Sequence, residues 1–173
     1  MRTALDPDTF TQAFARNGRA LWVIASAWVG RAEAEDLVQE VARVAWERRA
    51  QFCDGDDPGP WFATIARQLG ANWRRRRRPE VRDNEALPEV VASTIAAADW
   101  PFDADRAGLS DELAAALSRL PEVARAALLL HVVLGHGFAE IARMLGTNEN
   151  TAASHARRAR LALREALTPA RER

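Results

Sequence analysis

The stretch GFAEIARMLGTNENTAASHARRARLALREAL, residues 137–167, predicts two helices joined by a tight turn. Its first half has Phe138, Ile141 and Leu145 on one helical face and stops at Gly146. Glycine tolerates the left-handed backbone that ends many helices, and Asn148 is a favourable N-cap for the next helix. Two short helices around such a turn are typical of a helix-turn-helix, whose second helix enters the DNA major groove.

The second of these helices has one apolar face and one basic face. Placed at about 100° per residue, the predicted core face contains Ala152, Ala156, Ala159, Leu163, Ala166 and Leu167. The opposite face contains Asn150, Ala153, Ser154, Arg157, Arg158 and Arg164, and the segment 150–164 has four arginines and no acid. Amide, hydroxyl and guanidinium groups read base edges and bind phosphates. DNA binding is therefore predicted, the alternative being a solvent-exposed basic helix of some other all-helical protein.

Composition favours helix along the whole chain of 173 residues. Tyrosine and lysine are absent, and alanine, leucine, arginine and glutamate dominate. Cys53 is the only cysteine, which excludes an internal disulfide and a cysteine-based zinc site. Neither a signal-peptide pattern nor an apolar run of about 20 residues occurs. A cytoplasmic protein without a membrane span is expected.

The zero net charge conceals an uneven distribution that suggests two domains. Residues 1–78 carry 13 arginines and 10 acids, residues 79–108 carry two arginines and seven acids, and residues 109–173 carry nine arginines and seven acids. The acidic middle segment also contains three prolines and is predicted to be a flexible linker. A domain at 1–78 and a second at 109–173 are expected on either side of it.

Helical periodicity divides the two domains further. In the first domain, helices are predicted at 8–29, ended by Gly30, and at 31–52, and a third starts at Pro60 and Trp61 after the loop 53–60. In the second domain, one helix is capped by Ser110, the next runs from Pro121 to about Leu134, and the two helices of the helix-turn-helix follow. Trp46 falls on the charged face of the second helix. It is predicted either to mark a surface for a partner or to pack beneath the next loop.

The third helix runs into five consecutive arginines, Arg74–Arg78, with Trp61 and Trp73 nearby. Arginines interleaved with aromatic residues suit phosphate contacts and base stacking, although a nuclear-import signal has the same composition. No catalytic constellation or phosphate-binding glycine loop is present. His131, His136 and Glu140 match no zinc spacing. The sequence therefore predicts no enzyme, metal or cofactor.

Two separate stretches resemble one family, the extracytoplasmic-function (ECF) sigma factors of bacterial RNA polymerase. AEAEDLVQEVARVAW (32–46) and PWFATIARQLGANWRRRRR (60–78) are similar to their region 2. LPEVARAALLLHVVLGHGFAEIARMLGTNENTAASHARRAR (120–160) is similar to their region 4. The resemblance implies an all-α fold with a three-helix N-terminal domain, an acidic linker and a four-helix C-terminal domain.

The resemblance also implies partners and roles for particular residues. Core RNA polymerase would be bound by Asp36, Gln39, Glu40, Arg43 and Trp46. The promoter −10 element would be read and melted by Asp56, Trp61, Thr64, Arg67, Gln68, Asn72, Arg74 and Arg75. The −35 element would be read by Asn150, Thr151, Ser154, Arg157 and Arg158. An anti-sigma factor is a further expected partner.

Two departures from the family pattern bear on promoter recognition. Ala152, Ala153, Ser154, His155 and Ala156 stand where members usually have Val-Lys/Arg-Ser-Arg-Leu, so we expect weaker or altered −35 binding and shallower packing. Gln68 replaces the usual Asn, and Asn72 a frequent Asp, in the third helix. The competing hypotheses are a stand-alone helix-turn-helix regulator and a sigma-like decoy that sequesters an anti-sigma factor.

Overall fold

The computed structural model describes residues 5–52, 57–73 and 111–168, and all regular structure in these ranges is helical. The chain divides into two compact units, Met1–Trp100 and Pro101–Arg173. The first unit contains α1 (Pro7–Val29), α2 (Ala34–Glu47), a 3₁₀ turn (Arg49–Gln51) and α3 (Gly59–Trp73). The second contains α4 (Asp111–Ser118), α5 (Glu122–Val132), α6 (Phe138–Leu145) and α7 (Glu149–Leu167). The all-α prediction is confirmed, whereas the predicted linker at 79–108 and the Ser110 cap lie outside the described residues.

In the first unit, α1 packs against both α2 and α3, and residues next to its two ends determine where it begins and stops. Asp6 caps it by accepting hydrogen bonds of 3.0 Å from the backbone amides of Asp8 and Thr9. The Thr9 hydroxyl also donates to this carboxylate. These hydrogen bonds lower the pKa of Asp6, and the bond from the Thr9 hydroxyl contributes most. At the other end Gly30 has a φ of 88°, which stops the helix where the sequence predicts.

The core of the first unit is an aromatic cluster between α1 and α3. Phe10, Phe14 and Phe62 are fully buried, with ring centroids 5.2 to 5.9 Å apart. Farther along α3, Gly70 lies against Trp28 so closely that an added Cβ would stand 2.7 Å from the Trp28 Cβ. The close approach of α1 and α3 therefore depends on a glycine at this position.

The second unit buries small side chains from α7 against α4 and α5. Leu120, Ala124, Leu128 and Ala159 form a buried cluster, with Leu117 and Leu163 packed against it. The predicted turn is present: Gly146 is left-handed (φ 64°, ψ 42°), and the Asn148 side chain accepts from the Thr151 amide at 2.8 Å. These features form the helix-turn-helix of α6 and α7.

Several predicted details of these helices are wrong. The second predicted helix, 31–52, is α2 followed by a separate 3₁₀ turn. The fifth is predicted to end at about Leu134 and ends two residues earlier, at Val132, ahead of Gly135, which has a φ of 73°. Ala166, placed on the core face by the helical wheel, is exposed; the α7 residues that pack into the buried cluster are Ala159 and Leu163.

Candidate functional site

The solvent-facing side of α2 carries a linked set of charged side chains. Asp36 and Gln39 are exposed, whereas Glu40 and Arg43 are partly covered. The Arg43 guanidinium donates to both carboxylate oxygens of Glu40, from Nε at 2.8 Å and from Nη2 at 2.5 Å. It also donates from Nη1 to Glu47 Oε1 at 2.5 Å. These hydrogen bonds, the one with Glu40 foremost, raise the pKa of Arg43.

Trp46 does not belong to this exposed face. Its side chain is only 4% exposed and makes an edge-to-face contact with Phe10, with centroids 5.3 Å apart. The Arg49 guanidinium lies 3.9 Å from the centre of the indole ring, and Arg49 Nη1 donates to the Trp46 carbonyl at 2.8 Å. The hypothesis of an exposed Trp46 on a partner surface is wrong, and packing beneath the following segment is the correct alternative.

The helix α3 carries a partly exposed aromatic ring near its start and an arginine less than two turns farther on. Trp61 is partly exposed and is held between Phe52 and Phe62, at centroid distances of 5.3 and 5.2 Å. One turn on, the Thr64 hydroxyl donates to the Pro60 carbonyl at 2.9 Å and accepts from Arg67 Nη2 at 3.3 Å. Together these contacts fix a flat ring and a cation on neighbouring turns.

Arg67 is a half-buried cation. Desolvation lowers its pKa, and its Nε is buried without a hydrogen-bond partner in the described part of the chain. Gln68 and Asn72, which follow on the same helix, are exposed. Asp56, Arg74 and Arg75, also predicted to bind DNA, lie outside the described residues. The described residues of this site thus combine aromatic, amide, hydroxyl and guanidinium groups.

The polar face of α7 is exposed as the sequence predicts. Asn150, Ser154, Arg157 and Arg158 are exposed and Thr151 is partly exposed, whereas Ala152, Ala156 and Ala159 are buried beneath them. Arg158 Nε donates to the Ser154 carbonyl at 3.3 Å, so its guanidinium lies along the helix. Asn150 is in the first turn, the part of a recognition helix that meets base edges.

Sequence reasoning missed one contact that joins α2 to α3. Trp73 Nε1 donates to Glu33 Oε2 at 2.8 Å, across 40 residues of chain. The bond ties the C-terminal end of α3, beside the arginine run, to the start of α2. No periodicity in the sequence indicates it, because Glu33 precedes α2, Trp73 ends α3, and neither residue shows a local signal.

The histidines considered as metal ligands make other contacts. His136 Nδ1 lies 2.7 Å from Glu140 Oε2, and the His131 ring stacks on Phe138 with a centroid distance of 4.3 Å. Across ranges 5–52, 57–73 and 111–168, no three metal-ligating side chains come together. The same ranges contain no helix with the length and hydropathy needed to span a bilayer.

Comparison with known families identifies both units. The model of sigma-70 region 2 matches residues 13–80, which include all of α2 and α3. The model of sigma-70 region 4 matches residues 110–163, which include α4 to α6 and most of α7. The region 2 model therefore covers the α2 and α3 surfaces described above, and the region 4 model covers the polar face of α7.

Individual relatives agree with these matches. The chain is 37% identical over 136 residues to the ECF RNA polymerase sigma factor SigJ of Mycobacterium tuberculosis, covering 76% of this chain and 42% of SigJ. It is 32% identical over 129 residues to the ECF RNA polymerase sigma factor EcfG of Rhodopseudomonas palustris, covering 73% of this chain and 67% of EcfG. It spans only 34% of a further curated relative.

A solved structure is similar over almost the whole chain. It is the sigma factor RpoE of Bartonella quintana, in a complex with the anti-sigma factor NepR. The TM-score is 0.64 and the identity 25%, with 94% of this chain and 98% of that chain covered. Fold and sequence comparisons thus point to the same family.

Proposed function

We propose that this chain is a transcription initiation factor, because it belongs to the ECF sigma factors of the sigma-70 family. It would bind core RNA polymerase in the cytoplasm and direct it to particular promoters by binding the −35 element and melting the −10 element. The polymerase would supply the chemistry of RNA synthesis. The observation that carries the proposal is the presence of both family regions in one chain, each with an exposed polar face.

Core polymerase would bind the exposed face of α2. Asp36, Gln39, Glu40 and Arg43 remain the residues proposed for this surface, and they lie on a helix within the matched region 2. Trp46 would support this face from below, since it is buried against α1. An acidic helix face does not attract DNA, which supports a protein as its partner.

The −10 element would be opened and held by α3. Trp61 offers a ring held by its neighbours, on which an unpaired base can stack, and Arg67 offers a cation for the strand that carries the base. Thr64, Gln68 and Asn72 would contact base or sugar, and Asp56, Arg74 and Arg75 stay proposed from the family resemblance. Extruding a base costs a few kcal/mol, which stacking and pocket contacts offset.

The −35 element would be read by α7 through Asn150, Thr151, Ser154, Arg157 and Arg158. The alanines at 152 and 156 stand where the family usually has larger residues, and they are buried. Small residues there bury less apolar area beneath the recognition helix. We therefore propose that this chain binds its −35 element weakly alone and depends on the polymerase for promoter affinity.

An anti-sigma factor is the proposed regulator. The similar sigma factor RpoE was solved in complex with the anti-sigma factor NepR, which supports a partner of this class for the present chain. Such a partner would act by covering the surfaces proposed for polymerase and promoter. Co-purification with the chain from the native cell would identify this anti-sigma factor.

The deciding experiment is run-off transcription with core polymerase on the region upstream of the chain's own gene and on promoters mapped after overexpression. We expect specific transcripts that depend on the added chain. A chain that binds an operator tightly alone and never associates with core polymerase would be a stand-alone regulator. A chain that binds an anti-sigma factor but supports no transcript would be a decoy, and either result would refute the proposal.

A further inference from the structure

We infer that Arg43 is a positioning residue and that the polymerase contact on α2 extends to Glu47, forming an acidic surface that fits a basic protein partner. This inference rests on the proposed function and assigns different roles to residues that the resemblance treats alike. We call Glu40, Arg43 and Glu47 the α2 triad. Glu47 was not among the contacts predicted from the sequence.

The geometry of the α2 triad carries the assignment for Arg43. Its guanidinium forms a two-pronged contact with Glu40 and a further hydrogen bond with Glu47. Its side chain is 26% exposed, comparable to its two partners at 33% and 25%. A partner's carboxylate would have to displace these charge-assisted bonds to reach it. Arg43 is therefore better suited to hold the two glutamates than to contact the partner.

The same geometry prepares Glu40 and Glu47 to accept hydrogen bonds. Fixing a free glutamate side chain costs conformational entropy, and bonds within the α2 triad offset this cost before any partner arrives. Each carboxylate oxygen can accept more than one hydrogen bond. The two glutamates thus present ordered acceptors, one helical turn on either side of Arg43.

The charge on α2 identifies the class of partner. The helix carries four carboxylates, from Glu35, Asp36, Glu40 and Glu47, against the single guanidinium of Arg43. Arg48 and Arg49 follow directly, so residues 35–49 keep a small net negative charge. This charge disfavours nucleic acid and favours a surface that bears arginine or lysine. On the proposed function, this is a basic surface of core polymerase.

The test measures association of the full-length chain with core polymerase at low and high salt. We expect Glu47→Gln to weaken association about tenfold at low salt and much less at high salt, because salt screens the attraction between the partly exposed Glu47 carboxylate and a basic partner. Glu165→Gln, the same charge change at an exposed site on α7, should bind like wild type. Thermal unfolding of each variant by circular dichroism separates lost binding from lost folding.

Arg43→Gln gives a result that distinguishes positioning from simple electrostatics. Removing a positive charge from a surface with a basic partner should strengthen association if only net charge mattered. We expect several-fold weaker association instead, with Arg43→Lys intermediate, because a lysine cannot reproduce the two-pronged contact. In an E40Q/E47Q background, adding Arg43→Gln should change association less than twofold, since the carboxylates it orders are gone.

The possible failures are separable. If Glu47→Gln binds like wild type while Asp36→Asn binds weakly, Glu47 is outside the contact and the inference is wrong. If Arg43→Gln weakens association equally in the E40Q/E47Q background, Arg43 contacts the partner directly and its positioning role is refuted. If the wild-type chain does not associate with core polymerase, both the proposed function and this inference fall.

Discussion

Replacing Trp46 by alanine should destabilise the first unit rather than merely remove a surface contact. The indole ring is 4% exposed, packs edge-on against Phe10 and is covered by Arg49. A tryptophan buries about 200 Å², which at about 25 cal/mol per Å² is worth about 5 kcal/mol as an upper estimate. Measured Trp→Ala substitutions in cores cost about 3–5 kcal/mol. We expect a loss in that range, a large part of the stability of an ordinary domain.

Urea denaturation followed by circular dichroism at 222 nm measures this loss. Gln39→Ala is the matched control, because Gln39 is exposed on the same helix and should change stability by less than about 0.5 kcal/mol. Trp46→Phe should fall between the two, since it keeps a ring beside Phe10. A Trp46→Ala protein that unfolds within about 1 kcal/mol of wild type, yet loses polymerase binding, would refute the buried position and restore the exposed one.

Three further substitutions test other parts of the structure. Gly70→Ala should cost about 1–3 kcal/mol in urea denaturation, because its Cβ would press on the Trp28 side chain; an unchanged midpoint would contradict the close approach of α1 and α3. Asn148→Ala should cost about 1 kcal/mol by leaving the Thr151 amide uncapped, and thermal unfolding of the second unit checks it. Arg158→Ala should cost about 1–3 kcal/mol on the cognate −35 sequence if it contacts a base, and equal weakening on all sequences in a binding titration would make it a phosphate contact.

Local signals in the sequence were sufficient for most of the helical architecture. Gly30 and Gly146 end their helices as predicted, and Asn148 caps α7 as predicted. Each of these depends on backbone conformation or on a hydrogen bond within a few residues. Such effects are decided by neighbours in the sequence, so a single sequence can predict them.

Errors arose where tertiary contacts decide exposure. A helical wheel places Trp46 on the charged face of α2. In the structure its ring is buried by Phe10, which precedes it in the sequence, and by Arg49, which follows it. The wheel likewise places Ala166 in the core, although the residue is exposed. The Glu33–Trp73 hydrogen bond and the place of Glu47 beside Arg43 were not predicted as parts of a site either. Periodicity predicts in which direction a side chain leaves its helix, but it does not predict which residues from other elements pack against that side chain.

The charge distribution of the first unit suggests how one small domain could bind a protein at one helix and DNA at another. Within the first unit, α2 carries four carboxylates and one guanidinium, whereas α3 carries Arg67 as its only charged residue. A nucleic acid approaching α2 meets repulsion, and a basic protein surface approaching Arg67 meets the same sign of charge. The two helices pack side by side, and on the proposed function this opposition would favour the correct partner at each surface before any specific contact forms. Reversing the charge of α2 by replacing Glu35 and Asp36 with lysines should therefore increase nonspecific DNA binding by the chain while decreasing its association with core polymerase. Filter binding and pull-down at equal ionic strength measure the two effects, and a parallel change in both would contradict electrostatic sorting.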